Sequence, residues 1–260
     1  MKTRLLILLL LSLTLTACGA ENVPAEEADP PQIVRPEEEQ PPETVPPDAP
    51  ENSALPPLEG TPLTAEELAQ ANKAFNVYGK PDGDRALEYA CFFTSSYEDV
   101  TELNLEEFLR YYFNGSSEVT DEDAEEFQAL AALPGFPFSE ESLETWENRP
   151  GGLPVPVHRI PRAAVDQTLE TCAGITTADL KNTDGILYLP DYDSYYNFTS
   201  DYGPGFFEAA EGTRDGDTAR LRSESSWWGD GGESVRELTL REKDGRWLIQ
   251  SFTSYPVENG

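Results

Sequence analysis

The sequence contains one histidine, one methionine and three cysteines among its 260 residues. The single histidine, His158, cannot build a His-rich metal site, and as a catalytic base it would need a nucleophile and an orienting group beside it. The chain also lacks Gly-x-Ser-x-Gly, His-Glu-x-x-His, Cys-x-x-Cys and glycine-rich phosphate-loop patterns. The sequence therefore identifies no catalytic residue, no metal ligand and no cofactor.

Basic residues are scarce as well. Lys and Arg together number 18 against 49 Asp and Glu, which gives a formal net charge of −31. Such a surface repels nucleic acid and anionic lipid headgroups, so we expect no nucleic-acid partner. A cationic peptide or the basic face of another protein would be attracted, although solubility alone also explains the charge.

Long apolar runs are absent except at the N-terminus, where Lys2 and Arg4 precede an apolar stretch over residues 5–15. That stretch is too short for a permanent membrane span and has the length of a signal-peptide core. The segment Leu15-Thr16-Ala17-Cys18 that follows resembles the lipobox of bacterial lipoproteins. The resemblance implies that residues 1–17 are a signal peptide and that Cys18 carries acyl chains such as palmitate. The protein would then be anchored through this lipid to the extracytoplasmic face of the cell membrane.

Residues 18–63 are rich in proline, glutamate and aspartate and contain few large apolar side chains. Proline favours extended backbone, like charges repel each other, and there is little to bury. The sequence therefore predicts a disordered tether over residues 18–63 and a globular domain over residues 64–260.

The globular part changes its hydrophobic period along the chain. Helical signals dominate residues 64–175, beginning with the capping box Thr64-Ala65-Glu66-Glu67 and ending with Pro161 and Gly174 around a last helix. Strand signals dominate residues 185–255, where Asp244-Gly245 is typical of a type I′ hairpin turn. This order predicts an α+β fold in which N-terminal helices pack on a C-terminal antiparallel sheet. Helices are expected at 64–75, 104–112, 120–133, 140–147 and 161–173, and strands at 186–189, 195–199, 206–210, 218–223, 235–242 and 246–254; His158 is expected in a loop.

The two cysteines beyond Cys18 both lie in apolar surroundings. Cys91 belongs to the run Tyr89-Ala90-Cys91-Phe92-Phe93, and Cys172 falls on the apolar face of the last predicted helix. Two buried thiols and a Cys91–Cys172 disulfide are both compatible with this pattern. A disulfide would close a loop of about 80 residues and contribute roughly 4–5 kcal/mol in the chain-entropy model.

One region combines aromatic and acidic side chains. Aromatic faces can stack on sugar rings or hold cations, and neighbouring carboxylates can accept hydrogen bonds from hydroxyl or ammonium groups. The same aromatic residues could instead pack between strands. The candidate ligand-binding residues are Asp191, Asp193, Tyr195, Tyr196, Trp227 and Trp228.

Residues 64–254 resemble a group of uncharacterised lipoproteins from gut-dwelling Clostridia-type bacteria. Stretches such as Phe93-Thr94-Ser95-Ser96-Tyr97 and Tyr188-Leu189-Pro190-Asp191-Tyr192 carry this resemblance. The tail from Leu238 to Ile249 is also similar to the closing hairpin of NTF2-like domains. These resemblances imply a location and an architecture but no catalytic residue.

These observations favour a non-enzymatic, lipid-anchored binding or interaction domain that faces a cell-wall glycan or a basic protein. A small cell-wall hydrolase with paired carboxylates is the first alternative, because acidic residues are abundant. An acidic protein inhibitor of a basic wall hydrolase is the second.

Overall fold

The computed structural model describes residues 55–75, 89–199, 205–227 and 233–257. The predicted signal peptide, Cys18, most of the predicted tether and Trp228 lie outside these residues. Within the described ranges, no helix combines the length and the apolar character that a membrane span requires.

The fold is α+β, as predicted, with helices and two antiparallel sheets. One sheet contains, in spatial order, β1 (Thr61–Pro62), β6 (Glu211–Asp215), β7 (Thr218–Arg222), β9 (Glu233–Lys243) and β10 (Arg246–Pro256), with β8 (Ser226–Trp227) also paired to β9. The other contains β2 (Ser117–Glu118), β3 (Val157–Pro161), β5 (Ser194–Phe198) and β4 (Leu187–Leu189). The α-helices described are α1 (Ala65–Phe75), α2 (Leu105–Arg110), α3 (Ala124–Ala131), α4 (Glu140–Thr145) and α5 (Arg162–Ala173).

Local signals placed these helices and the last hairpin correctly. Thr64 and Glu67 form the predicted capping box, with the Thr64 N–H donating to Glu67 Oε2 at 2.8 Å. Helix α5 begins directly after Pro161 and ends at Gly174, which has a φ of 73°. Asp244 and Gly245 have φ values of 53° and 73°, as a type I′ turn between β9 and β10 requires.

Two hydrophobic cores form. The first packs α1, α2 and α5 against one face of the six-stranded sheet and includes Phe92, Leu238 and Ile249. It also takes in Ile160 and Tyr195 from one face of the four-stranded sheet. The second lies between the four-stranded sheet and α3 and α4, and it includes Phe127 and Leu130. A single predicted sheet is thus replaced by two sheets and two cores.

The prediction of a loop around His158 is wrong, because His158 lies on β3 and pairs with Asn197 of β5. Strands β2 and β3 therefore lie within residues 64–175, where helices and connecting loops were predicted but no strand. Strand β3 pairs with the two-residue β2 on one side and with the distant β5 on the other. The run Val157-His158-Arg159 gives no periodic signal of its own.

The predicted strand at 206–210 is also wrong, since residues 205–209 have no regular secondary structure. The side chain of Asn72 on α1 replaces a strand partner there. Its Nδ2 donates to the Ala209 carbonyl at 2.8 Å, and its Oδ1 accepts from the Ala209 N–H at 2.6 Å. Phe207 is fully buried in the first core. Asn72 and Arg236, whose Nη1 donates to the Phe206 carbonyl at 2.9 Å, thus replace strand partners for part of this segment's backbone.

The predicted tether boundary at residue 63 is too late in the chain. Residues 61–62 form β1 against β6, and the Leu63 N–H donates to the Gly212 carbonyl at 2.9 Å. The Thr213 hydroxyl donates to the Glu59 carbonyl at 2.8 Å, and the Arg222 guanidinium donates to the Pro56 carbonyl. Residues 55–63 are therefore part of the folded domain.

Candidate functional site

Asp193, one of the two candidate aspartates, is held by neighbouring side chains. Asp193 follows a short 3-10 turn and accepts hydrogen bonds from Arg162 Nε at 2.7 Å and from the Tyr188 hydroxyl at 2.6 Å. The hydrogen bond from Arg162, and then that from Tyr188, lowers the pKa of Asp193. Asp191 is exposed two residues earlier. Asp193 thus fastens β5 to the start of α5.

The two tyrosines of this cluster are buried and divided between the two cores. Tyr195 is 8% exposed in the first core, and Tyr196 is 4% exposed in the second. Successive residues on a strand point to opposite faces, and both faces of β5 are covered. Trp227 belongs to β8 in the other sheet, paired with Glu233. The structure therefore does not bring Asp191, Asp193, Tyr195 and Tyr196 together as one accessible face.

Tyr196 also completes a buried ionic network. Its hydroxyl donates to Glu126 Oε1 at 2.5 Å, and the same oxygen accepts from Arg159 Nε at 2.6 Å. Arg159 reaches Asp123 as well, at 3.0 Å. Burial, and then the hydrogen bond to Glu126, raises the pKa of Tyr196. The network ties β3 and β5 to α3 and leaves the Tyr196 hydroxyl occupied.

The two cysteines are thiols rather than a disulfide in this structure, and each is 1% exposed in the first core. Burial, and then the neighbouring Cys172, raises the pKa of Cys91. A raised pKa opposes thiolate formation, so this environment does not activate a nucleophile. His158 lies on β3, where its Nε2 is 3.2 Å from the Thr199 carbonyl oxygen.

Metal-ligating side chains do not gather in the part of the chain that the structure describes. No group of three or more His, Cys, Asp or Glu residues there could hold an ion.

One groove combines apolar walls with a polar rim. It encloses about 460 Å³ between α1, α5 and one face of the six-stranded sheet. Its apolar walls consist of Leu63, Ala71, Phe75, Tyr89, Ala219, Leu221, Leu240 and Trp247. Its polar residues are Glu67, Gln70, Thr171, Arg214 and Arg246. We call this cavity the α1 groove.

Small residues open the α1 groove. Ala219 lies opposite Leu240 in the pairing of β7 and β9, so a short side chain stands beside a long one on the groove face. Ala71 presents another short side chain from α1. At Gly212, a Cβ atom would lie 3.0 Å from Leu63 Cδ1 and 2.8 Å from Leu221 Cδ2, so glycine allows Leu63 to pack at this end.

Two charged residues of the α1 groove are held by protein partners. Arg214 stacks over the Trp247 ring, with its Cζ 4.9 Å from the ring centroid, and forms an ion pair with Glu242. Glu67 is held by Thr64 in the capping box, and the backbone hydrogen bond from Thr64 is the main cause of its lowered pKa. Arg214 therefore shapes the wall beside Trp247.

Sequence reasoning did not find the α1 groove. Its lining comes from α1, α5, four strands and the residues Leu63 and Tyr89, and each residue looks like an ordinary core or surface position in its own segment. Trp247 could be recognised only as a strand residue after the Asp244-Gly245 turn. Alanines at 71 and 219 leave no signal, since their effect depends on what stands opposite them.

Comparison of the chain with protein-family models, with curated proteins and with solved structures finds no match.

Proposed function

We propose that this protein is a lipid-anchored, non-enzymatic binding domain on the extracytoplasmic face of the cell membrane, and that it holds a small apolar ligand in the α1 groove. The groove itself carries the proposal. Its volume of about 460 Å³ is within the range of about 300–1,000 Å³ for small-molecule sites. Such sites are lined by apolar and aromatic residues with a few polar groups, and the α1 groove has this composition.

The groove fits an apolar ligand better than a glycan. Leu63, Tyr89 and Trp247 line the groove and are only partly buried, so a ligand removes their remaining apolar surface from water, and burial of apolar area contributes about 25 cal/mol per Å². The rings expected to stack on sugars, Tyr195 and Tyr196, are buried. Paired-carboxylate hydrolysis would need two acids facing one site, and among the described residues the α1 groove is lined by one, Glu67.

A neutral fluorescent probe tests the groove. N-phenylnaphthylamine becomes brighter in apolar surroundings and carries no charge, so its binding reports the apolar walls alone. The protein is the mature chain, residues 18–260, carrying Cys18→Ser to remove the predicted acylation site. We expect saturable binding that Thr171→Trp weakens, because Thr171 is an exposed α5 residue at the rim and the indole would fill the groove.

Ala163→Trp is the matched control. Ala163 is exposed on the same helix, two turns earlier, and does not line the groove. We expect this variant to bind the probe like the unsubstituted chain. Absence of probe binding, or equal weakening by both tryptophans, would contradict the proposal.

The anchor is tested separately with the full-length chain in cells. Cys18→Ser should abolish incorporation of labelled palmitate and release the protein from the membrane fraction, since a diacyl anchor is what retains it there. Retention of the variant in the membrane fraction would refute lipid anchoring but leave the α1 groove proposal intact.

A further inference from the structure

We infer that the α1 groove selects amphipathic anions, with an apolar body against Trp247 and an anionic group at Arg246, which acts as the specificity-determining residue. This inference rests on the proposal that the groove binds a ligand. It names the chemical class of that ligand: a small molecule with an apolar chain or ring and one carboxylate or comparable anion.

The charges that line the groove differ in their availability. Arg214 is committed to Glu242, to the Gly216 carbonyl at 3.1 Å and to the Trp247 ring. The Glu67 carboxylate accepts two hydrogen bonds from Thr64, at 2.8 and 2.9 Å. Neither side chain is placed to meet a ligand charge without giving up a protein partner.

Arg246 differs from both. It is the first residue of β10, it is exposed at the rim, and within the described ranges it forms no ion pair. Its strand partner across the hairpin is Lys243, so the nearest paired position is also basic. The Arg246 guanidinium at the mouth of the groove is therefore available to a ligand. Its planar group of N–H donors matches the geometry of a carboxylate.

This cation adjoins the apolar wall. Trp247 is the next residue after Arg246; although successive strand residues project to opposite faces, both line the same cavity here, at the first two positions of β10. A ligand that covers the indole with its apolar part can therefore place a charged end at the guanidinium. The chain as a whole has a net charge of −31, which opposes uptake of any anion. A local cation at the mouth is therefore what an anionic ligand needs to be preferred over a neutral one.

Two probes with the same apolar body separate the contribution of the apolar walls to binding from that of the anionic group. Anilinonaphthalene sulfonate is N-phenylnaphthylamine with an added sulfonate, so the ratio of their affinities for the mature Cys18→Ser chain measures the contribution of the anion. We expect Arg246→Gln to lower the ratio of sulfonate to neutral-probe affinity by about three- to tenfold, as loss of a partly exposed charged contact implies. Arg246→Lys keeps the charge and should retain most of the ratio.

Arg220→Gln is the matched control. Arg220 is an exposed arginine on β7 between Ala219 and Leu221, so its side chain projects from the opposite face of the sheet. It removes the same net charge without touching the groove, and the ratio should stay within about twofold of the unsubstituted chain, the scale of an exposed and screened charge.

The outcomes separate the two proposals. If the neutral probe does not bind, both fail. If it binds in the groove but Arg246→Gln leaves the ratio unchanged, or Arg220→Gln lowers it equally, only the anion inference is overturned. Displacement of the sulfonate probe by laurate or by naphthoate distinguishes a chain-like from a ring-like ligand, and displacement by neither would overturn selection of amphipathic carboxylates.

Discussion

Replacing Tyr196 with phenylalanine removes one hydroxyl group from a buried ionic network. Tyr196 is 4% exposed, and Glu126, which accepts the hydrogen bond from the Tyr196 hydroxyl, is 3% exposed. Phenylalanine keeps the ring and fills the same space in the second core. The change therefore isolates the hydrogen bond at 2.5 Å between the Tyr196 hydroxyl and Glu126 Oε1.

The expected magnitude follows from the charge of the acceptor. A hydrogen bond to a charged group contributes about 1.5–3 kcal/mol, against about 0.5–1.5 kcal/mol for a neutral pair. Glu126 keeps Arg159 as its counter-charge in the variant, at 2.6 Å, so an isolated buried charge is not created. We therefore expect Tyr196→Phe to lower the free energy of unfolding by about 1.5–3 kcal/mol, which is about 3–12 °C in Tm for a domain of this size.

The assay is guanidinium unfolding of the mature Cys18→Ser chain, followed by fluorescence and by circular dichroism to test for a two-state transition. Tyr188→Phe is the matched control, because its hydroxyl donates to Asp193 at the surface and its removal should shift the midpoint less. In a Glu126→Gln background the acceptor is neutral, and the effect of Tyr196→Phe should fall to about 0.5–1.5 kcal/mol.

A midpoint unchanged by Tyr196→Phe would refute the assignment of Tyr196 to the stabilising network. So would an effect of the same size in the Glu126→Gln background, because the coupling between the two residues would then be absent. If Tyr196→Phe abolished binding of N-phenylnaphthylamine without lowering stability, the ligand-binding role that the sequence suggested for Tyr196 would be supported instead.

Three further predictions concern other parts of the domain. The pKa of Asp193 in the folded state is lowered by Arg162, so the Asp193 carboxylate contributes to stability above its ordinary pKa near 4, and this contribution is lost as the pH falls through the lowered pKa. Asp193→Asn should therefore reduce Tm at pH 7 but not at a pH below the lowered pKa. An equal reduction of Tm at both pH values would contradict the assignment. The denatured, unreduced mature Cys18→Ser chain should react with two equivalents of a thiol reagent, from Cys91 and Cys172, whereas no reaction would demonstrate a disulfide. Gly152→Ala should lower Tm markedly in a circular dichroism melt, because its Cβ would lie 1.9 Å from a backbone carbonyl oxygen, and an unchanged Tm would contradict that packing.

The elements that were predicted correctly from the sequence are determined by residues close to each other in the chain. The capping box at Thr64, the Pro161 and Gly174 boundaries of α5, and the Asp244-Gly245 turn each depend on neighbours in the chain. The errors depend on distant partners. Within residues 205–209, both backbone groups of Ala209 bond to Asn72, more than a hundred positions away, and no local pattern contains that information.

The candidate site shows the same limit more strongly. Alternation along β5 correctly places Tyr195 and Tyr196 on opposite faces, but it cannot tell that a second core covers the face of Tyr196. Aromatic and acidic residues therefore looked like a ligand surface when they are a tie between β5, α3 and α5. The α1 groove could not be predicted for the converse reason, since Ala219 leaves space only through its pairing opposite Leu240 and Ala71 only through the packing of α1 on the sheet.

The docked segment 55–63 connects the groove to the rest of the chain. The Leu63 N–H bonds to Gly212 while the Leu63 side chain lines the groove, and Arg222 holds the Pro56 carbonyl on the same sheet. A ligand that covers Leu63 contacts this segment only when it is docked. Because a ligand that binds one of two states stabilises that state by its differential affinity, occupancy of the groove would strengthen the attachment of residues 55–63 to β6. If the groove binds a ligand as proposed, ligand binding and docking of the segment that leads to the proposed anchor would be coupled through Leu63.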